Sequence, residues 1–525
     1  MNNNYLKLEN NTQLLLDDYF LDDIWMLRRA PELPVKSFCN PVISSDPPYS
    51  PGNATVIYDK EEKIFKCWYI IFDSELYYSG QPGAYKTCYE VSADGIEWER
   101  PKLSILEYKG SKENNLVFNG SGIIYKDQYD SCLDKRYKML YNGHRMGLCA
   151  AFSPDGINWN KYGGKDTELI RGYNDTTNGS FYDPRIKKYV RYGRPYAIAA
   201  EKEGKVLGIK PNWSHEIEFK KWEVFAKPPQ NEVFPDYDDF VDYRETEDYI
   251  HRYLHQIPYV YGKTLRLFKG GNSGCNRRII RSESEDYINW SLPELVIAPD
   301  ELDPAKLYGM SVTIYEGMYI GLLQLYNSWG ERRIPGSINE DETIDIQLTF
   351  SRDGKKWERL ANRPVFIPRG YIGGHEGGMI FGTGIPLIEY GDELRFYYTA
   401  NPECHNAICE SHSSLNVARL PAGRLVSRAA GDEMGALITK PFLLEHDRVC
   451  LNIDSRKGIA RVEITDIEGK PLGGFTAEES SMISENNMKA FVAWNGKPDV
   501  GALKGQIVRL RIYMQKSKLY SLQFV

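Results

Sequence analysis

The chain has 525 residues, which is room for three or four compact domains or for one large repeat body with a smaller module. Its 65 Lys and Arg residues against 72 Asp and Glu leave a formal charge of −7, and the lack of basic tracts argues against a dedicated nucleic-acid or anionic-membrane binder. A charged share of 26% and an apolar share of 42% are typical of a soluble globular protein. The 37 Tyr, 20 Phe, 10 Trp and 45 Gly residues favour many short strands joined by tight turns.

The first twenty residues carry no feature of an export signal. Polar and charged residues surround the short Leu14–Leu16 run, whereas a secretory signal needs a long apolar core. The nine cysteines are odd in number and scattered, which predicts reduced thiols and not a disulfide framework. No apolar run is long enough to span a bilayer. We therefore expect a cytoplasmic protein with neither nucleic acid nor a membrane as partner.

A seven-residue pattern, Ser-x-Asp-Gly-x-x-Trp, recurs along the chain. Asp-Gly is a tight-turn signal, because Gly accepts a positive φ and Asp can bond the turn backbone. Each copy follows an apolar strand, so the Trp should begin the next strand and cover the hairpin. The copies span residues 92–98, 153–159 and 351–357, and a variant with Tyr287 in place of Gly spans 284–290.

Two further strand-like runs precede each copy of the pattern. Four antiparallel strands recurring about every 65 residues predict the blades of a β-propeller. A string of β-sandwich hairpins would explain the strands but not the constant turn. First strands begin near residues 54, 122, 179, 309 and 378, so one interval is twice as long as the others. Either an insertion or an extra blade occupies residues 195–275, which leaves five or six blades.

The character of the sequence changes at residue 429. About 95 residues of short alternating strands follow, with turns at Glu468-Gly469 and Asn495-Gly496, and this pattern predicts a small β-sandwich. We therefore expect an all-β chain with a propeller over residues 1–428 and a β-sandwich over residues 429–525.

Four motifs lie in these regions: Asp17-Asp18-Tyr19, Tyr182-Asp183-Pro184-Arg185, Leu307-Tyr308-Gly309-Met310, and Ile344-Asp345-Ile346-Gln347-Leu348 leading into Ser351-Arg352-Asp353-Gly354. Together with the terminal module they resemble bacterial proteins related to glycoside hydrolase family 32 and 43 enzymes. The resemblance covers most of the chain outside residues 195–275. It implies five blades plus an insertion, and an enzyme that acts on carbohydrate. The Trp-x-Asn-Asp-Pro-Asn-Gly motif of family 32 is not present.

Propeller topology decides which loops share a face. Loops that lead into first strands and loops that leave second strands should share one face, whereas the Asp-Gly turns should lie on the opposite face. The turn aspartates are therefore expected to be structural, as are Asp59 and Asp183 in first-to-second turns. Three carboxylates precede first strands on the functional face: Glu376, Asp175 and Asp46.

Glu376 is the first candidate for catalysis. The flanking glycines of Gly373-Gly374-His375-Glu376-Gly377-Gly378 would let the backbone approach the axis. A carboxyl in an aromatic-lined funnel should hold its proton, as a general acid requires. Asp46 or Asp175 would then act as base or nucleophile, although capping of a local turn is the structural alternative for both.

Substrate-binding candidates lie in loops of the same face. The arginines among them could bind sugar hydroxyls or a phosphate through paired N–H groups. The 195–275 insertion also follows a second strand, so it should cover the pocket. A covered pocket favours an exo-acting enzyme with a small substrate. Cys404, His405, Cys409 and His412 lack a second Cys/His pair at zinc spacing, so no metal is expected. The binding candidates are Arg194, His144, Arg145, His375, His405 and Tyr326.

These features favour a glycoside hydrolase, because glycosidic cleavage needs one carboxylic acid and a second carboxylate. Aromatic rings also pack well against the C–H faces of sugars. Two alternatives stay open: a glycoside phosphorylase with a phosphate pocket formed by His144, Arg145 and Arg194, and a non-catalytic carbohydrate-binding propeller. We expect a small carbohydrate as partner and no cofactor, and the sequence is compatible with a homo-oligomer.

Overall fold

The protein is described here by a computed structural model. Almost all regular structure in it is β-strand, so the all-β class expected from the sequence is confirmed. Short 3-10 turns span Leu133–Lys135, Tyr162–Gly164 and Gly501–Leu503, and no helix in the described part of the chain has the length and apolarity that crossing a lipid bilayer requires. The structure describes all residues except 1–4, 9–11, 47–48, 74, 77–78, 80–82, 144–147, 171–178, 194–198, 203–204, 211–212, 219–277, 292–293, 304–305, 328–342 and 406–411.

Four short strands precede the first large sheet. Each of them pairs antiparallel with a strand from the last quarter of the chain and not with its own neighbours. They are β1 (Thr12–Leu14), β2 (Leu21–Trp25), β3 (Leu27–Pro31) and β4 (Val35–Lys36).

The next two sheets are antiparallel meanders, here called meanders 1 and 2, in which consecutive strands pair. Meander 1 contains β5 (Gly52–Asp59), β6 (Ile64–Phe72), β7 (Tyr85–Ser92) and β8 (Leu116–Asn119). Meander 2 contains β9 (Gly122–Lys126), β10 (Tyr137–Asn142), β11 (Leu148–Ser153) and β12 (Asn160–Lys161), and β13 (Glu168–Ile170) also pairs with β11.

Meander 3 is interrupted after its second strand. Along the sequence, the strands of a separate three-stranded sheet come between its first two and its last two strands. Because β15 pairs directly with β19, residues 195–275 interrupt one sheet along the sequence, and the number of blades stays a prediction. The strands are β14 (Gly179–Asp183) and β15 (Lys188–Gly193), then the inserted β16 (Ala199–Lys202), β17 (Lys205–Lys210) and β18 (Trp213–Glu218), and finally β19 (Ile279–Ser284) and β20 (Glu294–Ile297).

Meanders 4 and 5 are joined by a single parallel pairing between Ile344 and Met379. Meander 4 contains β21 (Lys306–Tyr315), β22 (Met318–Asn327), β23 (Thr343–Ser351) and β24 (Glu358–Arg359). Meander 5 contains β25 (Met379–Gly382), β26 (Ile388–Tyr390), β27 (Glu393–Asn401) and β28 (Ser414–Pro421), and β4 from the N-terminal region is its outermost strand.

The five meanders contact one another in a closed sequence. β5 contacts β9, β9 contacts β14, β14 contacts β21, β22 contacts β25, and β27 returns to β5. A buried apolar cluster fills each of the five spaces between neighbouring meanders. Alternate side chains of one strand therefore enter two different clusters; Phe65 and Cys67 of β6 face meander 5, whereas Trp68 faces meander 2.

The remaining strands form two sheets that share one buried apolar cluster. Strands β1 and β3 join the first of these sheets and β2 joins the second, so strand pairing crosses the expected boundary at residue 428 extensively. The division into 1–428 and 429–525 stays a prediction. The strands are β29 (Val426–Ala430), β30 (Gly435–Thr439), β31 (Phe442–Leu443), β32 (Val449–Asp454), β33 (Ile459–Thr465), β34 (Asn486–Phe491), β35 (Ile507–Gln515) and β36 (Lys518–Phe524).

The Ser-x-Asp-Gly-x-x-Trp copies form the same corner at the ends of third strands. In the first copy the Ser92 hydroxyl donates to Asp94 and accepts the N–H of Gly95, while Asp94 accepts the N–H groups of Ile96 and Glu97. The other copies repeat these bonds at Asp155, Asp286 and Asp353. The four carboxylates hold their own corners, as expected of structural residues.

Each glycine corner is also attached to the preceding meander. The Trp68 indole N–H donates to the carbonyl of Gly156 at 2.7 Å, and the Tyr397 hydroxyl donates to the carbonyl of Gly95 at 2.8 Å. The Tyr192 hydroxyl makes the same contact with Gly354 at 2.8 Å. An aromatic residue of one meander thus fastens it to the turn of the next meander in the closed sequence of contacts.

Substituting Gly156 with alanine is expected to lower stability more than substituting Gly110. Both glycines have φ +79, which alone costs an alanine about 1–2 kcal/mol. A Cβ at Gly156 would lie 2.6 Å from the Trp68 ring, whereas a Cβ at Gly110 meets nothing within 4 Å. The clash should therefore add about 1–3 kcal/mol for G156A. Urea unfolding of the two variants measures the difference, and equal losses would contradict the close packing at this corner.

The corner aspartates predict a loss of stability in acid. Although burial opposes the effect, N–H donors from Asn289 and Ile288 lower the pKa of Asp286 to about 2, and similar bonds lower the pKa values of Asp155 and Asp353 from 3.8. A depressed folded-state pKa gives stability that is present above the unfolded-state value and is lost as the pH falls. The free energy of unfolding should therefore decrease on acidification below about pH 4. Urea titrations across this range test it, and a flat profile would contradict it.

Candidate active site

A glycine-rich loop leads from meander 4 into β25 of meander 5. We call residues 370–378 the Glu376 loop. Its neck is closed by the Gly370 N–H, which donates to the Glu376 carbonyl at 3.0 Å. A Cβ at Gly377 would lie 2.4 Å from the Tyr371 carbonyl oxygen, and a Cβ at Gly378 would lie 2.0 Å from the Glu403 carbonyl oxygen. Larger residues therefore do not fit at these two positions, which explains the glycines on the C-terminal side of Glu376.

The Glu376 carboxylate has two polar partners. The Lys36 ammonium lies 2.7 Å from Oε1, and the Tyr398 hydroxyl donates to Oε2 at 2.9 Å. Lys36 belongs to β4 and Tyr398 to β27, so segments that are far apart in the sequence meet at this group. Only 13% of the Glu376 side chain is exposed. Burial, together with the neighbouring carboxylate, raises the pKa of Tyr398, which keeps its hydroxyl a donor.

These partners differ from the apolar surroundings expected for a general acid. An ammonium ion at 2.7 Å attracts the negative charge of the Glu376 carboxylate, and hydrogen-bond donation from Tyr398 does the same. The contacts suit a carboxylate that acts as base or nucleophile.

Two hydrogen-bond pairs fix the position of the Glu376 loop. The His375 Nε2 atom lies 2.9 Å from Oδ1 of Asn416 on β28, so this predicted binding residue is held by the same sheet. The Arg369 guanidinium donates to the Gly377 carbonyl at 2.9 Å and to Asp345 at 3.0 Å. The loop is therefore anchored both to meander 4 and to meander 5.

The structure brings two of the predicted binding residues together. The Tyr326 hydroxyl lies 3.5 Å from Nδ1 of His405, and the Tyr308 hydroxyl lies 3.1 Å from Nε2 of the same ring. Phe381 on β25 packs against Tyr308, with ring centroids 5.4 Å apart. This group, here called the His405 cluster, lies where the first strand of meander 5 meets meander 4.

Asp46 lies in a different environment. Its side chain is 73% exposed, and its charged partner is Arg100, at 3.6 Å. Arg100 also donates to Glu90 at 3.0 Å and stacks over the Tyr49 ring. The contacts of Asp46 and Glu376 have no residue in common among those the structure describes. The structure therefore gives no support for pairing these two carboxylates.

The remaining predicted site residues, Asp175, His144, Arg145 and Arg194, lie outside the described residues. Sequence reasoning missed Lys36 and Tyr398, because the first is 340 positions from Glu376 and nothing in its neighbourhood marks it. Tyr308 could have been found, since it lies in the Leu307-Tyr308-Gly309-Met310 motif.

Metal binding receives no support from the part of the chain that the structure covers. No group of three or more His, Cys, Asp or Glu side chains in it is arranged to hold a metal ion. His412 instead pairs with Glu403 at 2.6 Å. Cys409 lies outside the described residues.

No protein-family profile and no curated protein matches the chain. Among solved structures, a putative glycoside hydrolase from Bacteroides ovatus is 14% identical, with a TM-score of 0.37 over 77% of this chain and 98% of that one. A second solved structure belongs to the GH130 family of mannoside phosphorylases, a family that contains glycoside hydrolases. It is 14% identical, with a TM-score of 0.39 over 78% of this chain and 97% of that one. An N-acetylgalactosamine deacetylase from F. plautii is 11% identical, with a TM-score of 0.41 over 76% and 97%. A functional assignment therefore rests on the residues of this chain.

Proposed function

We propose that meanders 1 to 5 are the blades of a five-bladed β-propeller and that the two C-terminal sheets form a β-sandwich. The closed sequence of contacts from β5 back to β5 and the five clusters between neighbours support the propeller. The pairing of β4 with β28 would fasten the last blade with a strand from the N-terminal region.

On this framework we propose a glycoside hydrolase. One observation carries the proposal: a mostly buried carboxylate, Glu376, is held at a fixed position by Lys36 and Tyr398 in a loop that leads into a first strand. The His405 cluster at the start of the same blade supplies hydroxyl and imidazole groups that can bind sugar hydroxyls. Glycosidic cleavage uses such a carboxylate to activate water or to attack the anomeric carbon.

A glycoside hydrolase also needs an acid that protonates the departing oxygen. The ion pair of Glu376 with Lys36 suits Glu376 to the charged role, so we assign the acid to Asp175, which precedes the first strand of meander 3. Asp46 is the second candidate for the acid. Its exposed position and its ion pair with Arg100 make it the weaker candidate. Most of residues 195–275, which the sequence predicts to cover the pocket, lie outside the described residues. Removal of terminal sugars from a small substrate therefore stays a part of the proposal that rests on the sequence.

Hydrolysis of a glycoside panel with and without inorganic phosphate tests this function. We expect release of free sugar at a rate that phosphate does not change. Turnover that requires phosphate and yields a sugar phosphate would instead establish a glycoside phosphorylase. If no glycoside is turned over under either condition, the hydrolase is rejected and a carbohydrate-binding propeller becomes the better explanation.

A further inference from the structure

We propose that the exposed ring of Tyr371 is a platform on which a pyranose ring stacks, beside the Glu376 carboxylate. This inference deepens the proposed function by naming a substrate class for the same site. The ring belongs to the Glu376 loop and is 82% exposed. An aromatic side chain exposed to this extent leaves an apolar ring in water, where it is available to pack against the C–H face of a ligand.

One face of the Tyr371 ring rests on its own loop. A Cβ built at Gly374 would lie 3.0, 3.1 and 3.2 Å from ring atoms Cζ, Cε1 and Cε2. The phenolic oxygen is not among these nearest atoms, so Gly374 approaches the face of the ring and not its hydroxyl edge. The Gly374 N–H donates to the Tyr371 carbonyl at 3.0 Å, which closes the turn. The loop supports one face of the ring and leaves the other to solvent.

The loop that carries this ring also carries the Glu376 carboxylate. A Cβ at Gly370, the residue before Tyr371, would lie 3.0 Å from Oε1 of Glu376, so the carboxylate packs against the base of the loop. Lys36 reaches the same oxygen. The same loop thus carries an exposed aromatic ring and a carboxylate that is paired with an ammonium. A sugar can pack its C–H face on such a ring and hydrogen-bond its hydroxyls to such polar groups.

The surrounding apolar surface is too interrupted to favour a protein partner. Ile372 is 60% exposed and Phe38 is 99% exposed. Ile372 shares its loop with Glu376, and Phe38 follows Lys36 by two residues, so the ion pair of Lys36 and Glu376 interrupts these apolar stretches of the chain. A stable interface between two copies of the chain buries about 800 Å² from each partner around an apolar centre. A few separate apolar side chains around an ion pair fit a small amphipathic ligand better.

The chemistry of stacking selects the sugar. A β-configured pyranoside with axial hydrogens at C1, C3 and C5 presents an uninterrupted C–H face to an aromatic ring. Methyl β-D-glucopyranoside, methyl β-D-galactopyranoside and methyl β-D-mannopyranoside share this face and differ in their hydroxyls. They are therefore suitable probes, because a stacking platform binds the shared face and the polar neighbours distinguish the hydroxyls.

Saturation-transfer NMR and titration of the full chain with these three glycosides test the platform. We expect saturation to be strongest at the axial protons of one face. Tyr371→Ala should weaken binding about tenfold, Tyr371→Phe should bind within about twofold of the original chain, and the thermal midpoint should not change. Tyr129→Ala is the matched control, since Tyr129 is also an exposed tyrosine but packs against Tyr182. Sugar binding by this variant should be unchanged.

Four outcomes would overturn the platform. They are unchanged binding in Tyr371→Ala, equal loss in Tyr371→Phe, no binding of any probe, and dissociation of an oligomer by Tyr371→Ala with sugar affinity intact. The last result would assign the surface to a second copy of the chain. Failure of the proposed function is distinguishable: binding that depends on Tyr371 without turnover of any glycoside would reject the hydrolase and support the platform.

Discussion

Replacing Glu376 with glutamine should lower kcat by about 10³-fold while leaving substrate binding close to that of the original chain. Glutamine keeps the shape of the side chain, and its carbonyl oxygen can still accept a hydrogen bond from Lys36. What it removes is the negative charge that a base or nucleophile needs. The loss should therefore fall on kcat and on kcat/KM alike, as expected for an interaction made in the transition state.

The control for this variant is Glu113→Gln. Glu113 also pairs with a lysine, Lys102, at 2.9 Å, but both side chains lie on the surface. Its loss should not affect turnover, because a surface ion pair contributes little. Thermal unfolding of both variants separates catalysis from folding. Unchanged turnover in Glu376→Gln would remove Glu376 from the site, and a lower kcat that accompanies a large loss of stability would assign the carboxylate to the anchoring of β4.

The largest effect on stability is expected from Asp59→Asn. The Asp59 carboxylate is fully buried at the end of β5 and accepts from Lys66 at 3.0 Å, Lys126 at 2.7 Å and the Tyr137 hydroxyl at 3.1 Å. The Lys66 side chain is itself only 4% exposed. Removing the charge leaves a buried ammonium without its main counter-ion, which costs about 3–5 kcal/mol.

Glu62→Gln is the matched control for Asp59→Asn, because Glu62 pairs with the same Lys66 ammonium at 2.6 Å from an exposed position. Solvent screens this second pair, so its loss should cost less than about 1 kcal/mol. Guanidinium unfolding midpoints of the two variants give the comparison. Similar midpoints would show that burial does not strengthen the Asp59 contact.

The repeating architecture could be predicted because its signals are local. In the Ser92 corner, the serine, aspartate, glycine and tryptophan that form the turn lie within seven residues, and the hydrogen bonds of the serine and the aspartate close inside that window. The pairing of β15 with β19 was harder to foresee, since about 85 residues separate the two strands. Only the Tyr287 variant of the corner marked β19 as a third strand.

The site was less accessible to sequence reasoning because its contacts are long-range. The glycines around Glu376 are visible in the sequence, and they indicate a backbone in close approach. The charge beside Glu376 comes from Lys36, in a two-residue strand with no periodic pattern to mark it. Sequence reasoning therefore indicated the glycine-rich loop and an aromatic-lined environment for Glu376, but it did not identify the lysine that pairs with it.

Strand β4 has a consequence for synthesis. Because β4 pairs with β28, its partner leaves the ribosome only after the intervening residues 37–413 have been translated. The nascent chain must carry β4 with an open edge through most of its elongation, and meander 5 is completed last. The Lys36 ammonium belongs to β4, so Glu376 can acquire this counter-ion only once β4 and the 370–378 loop have come together.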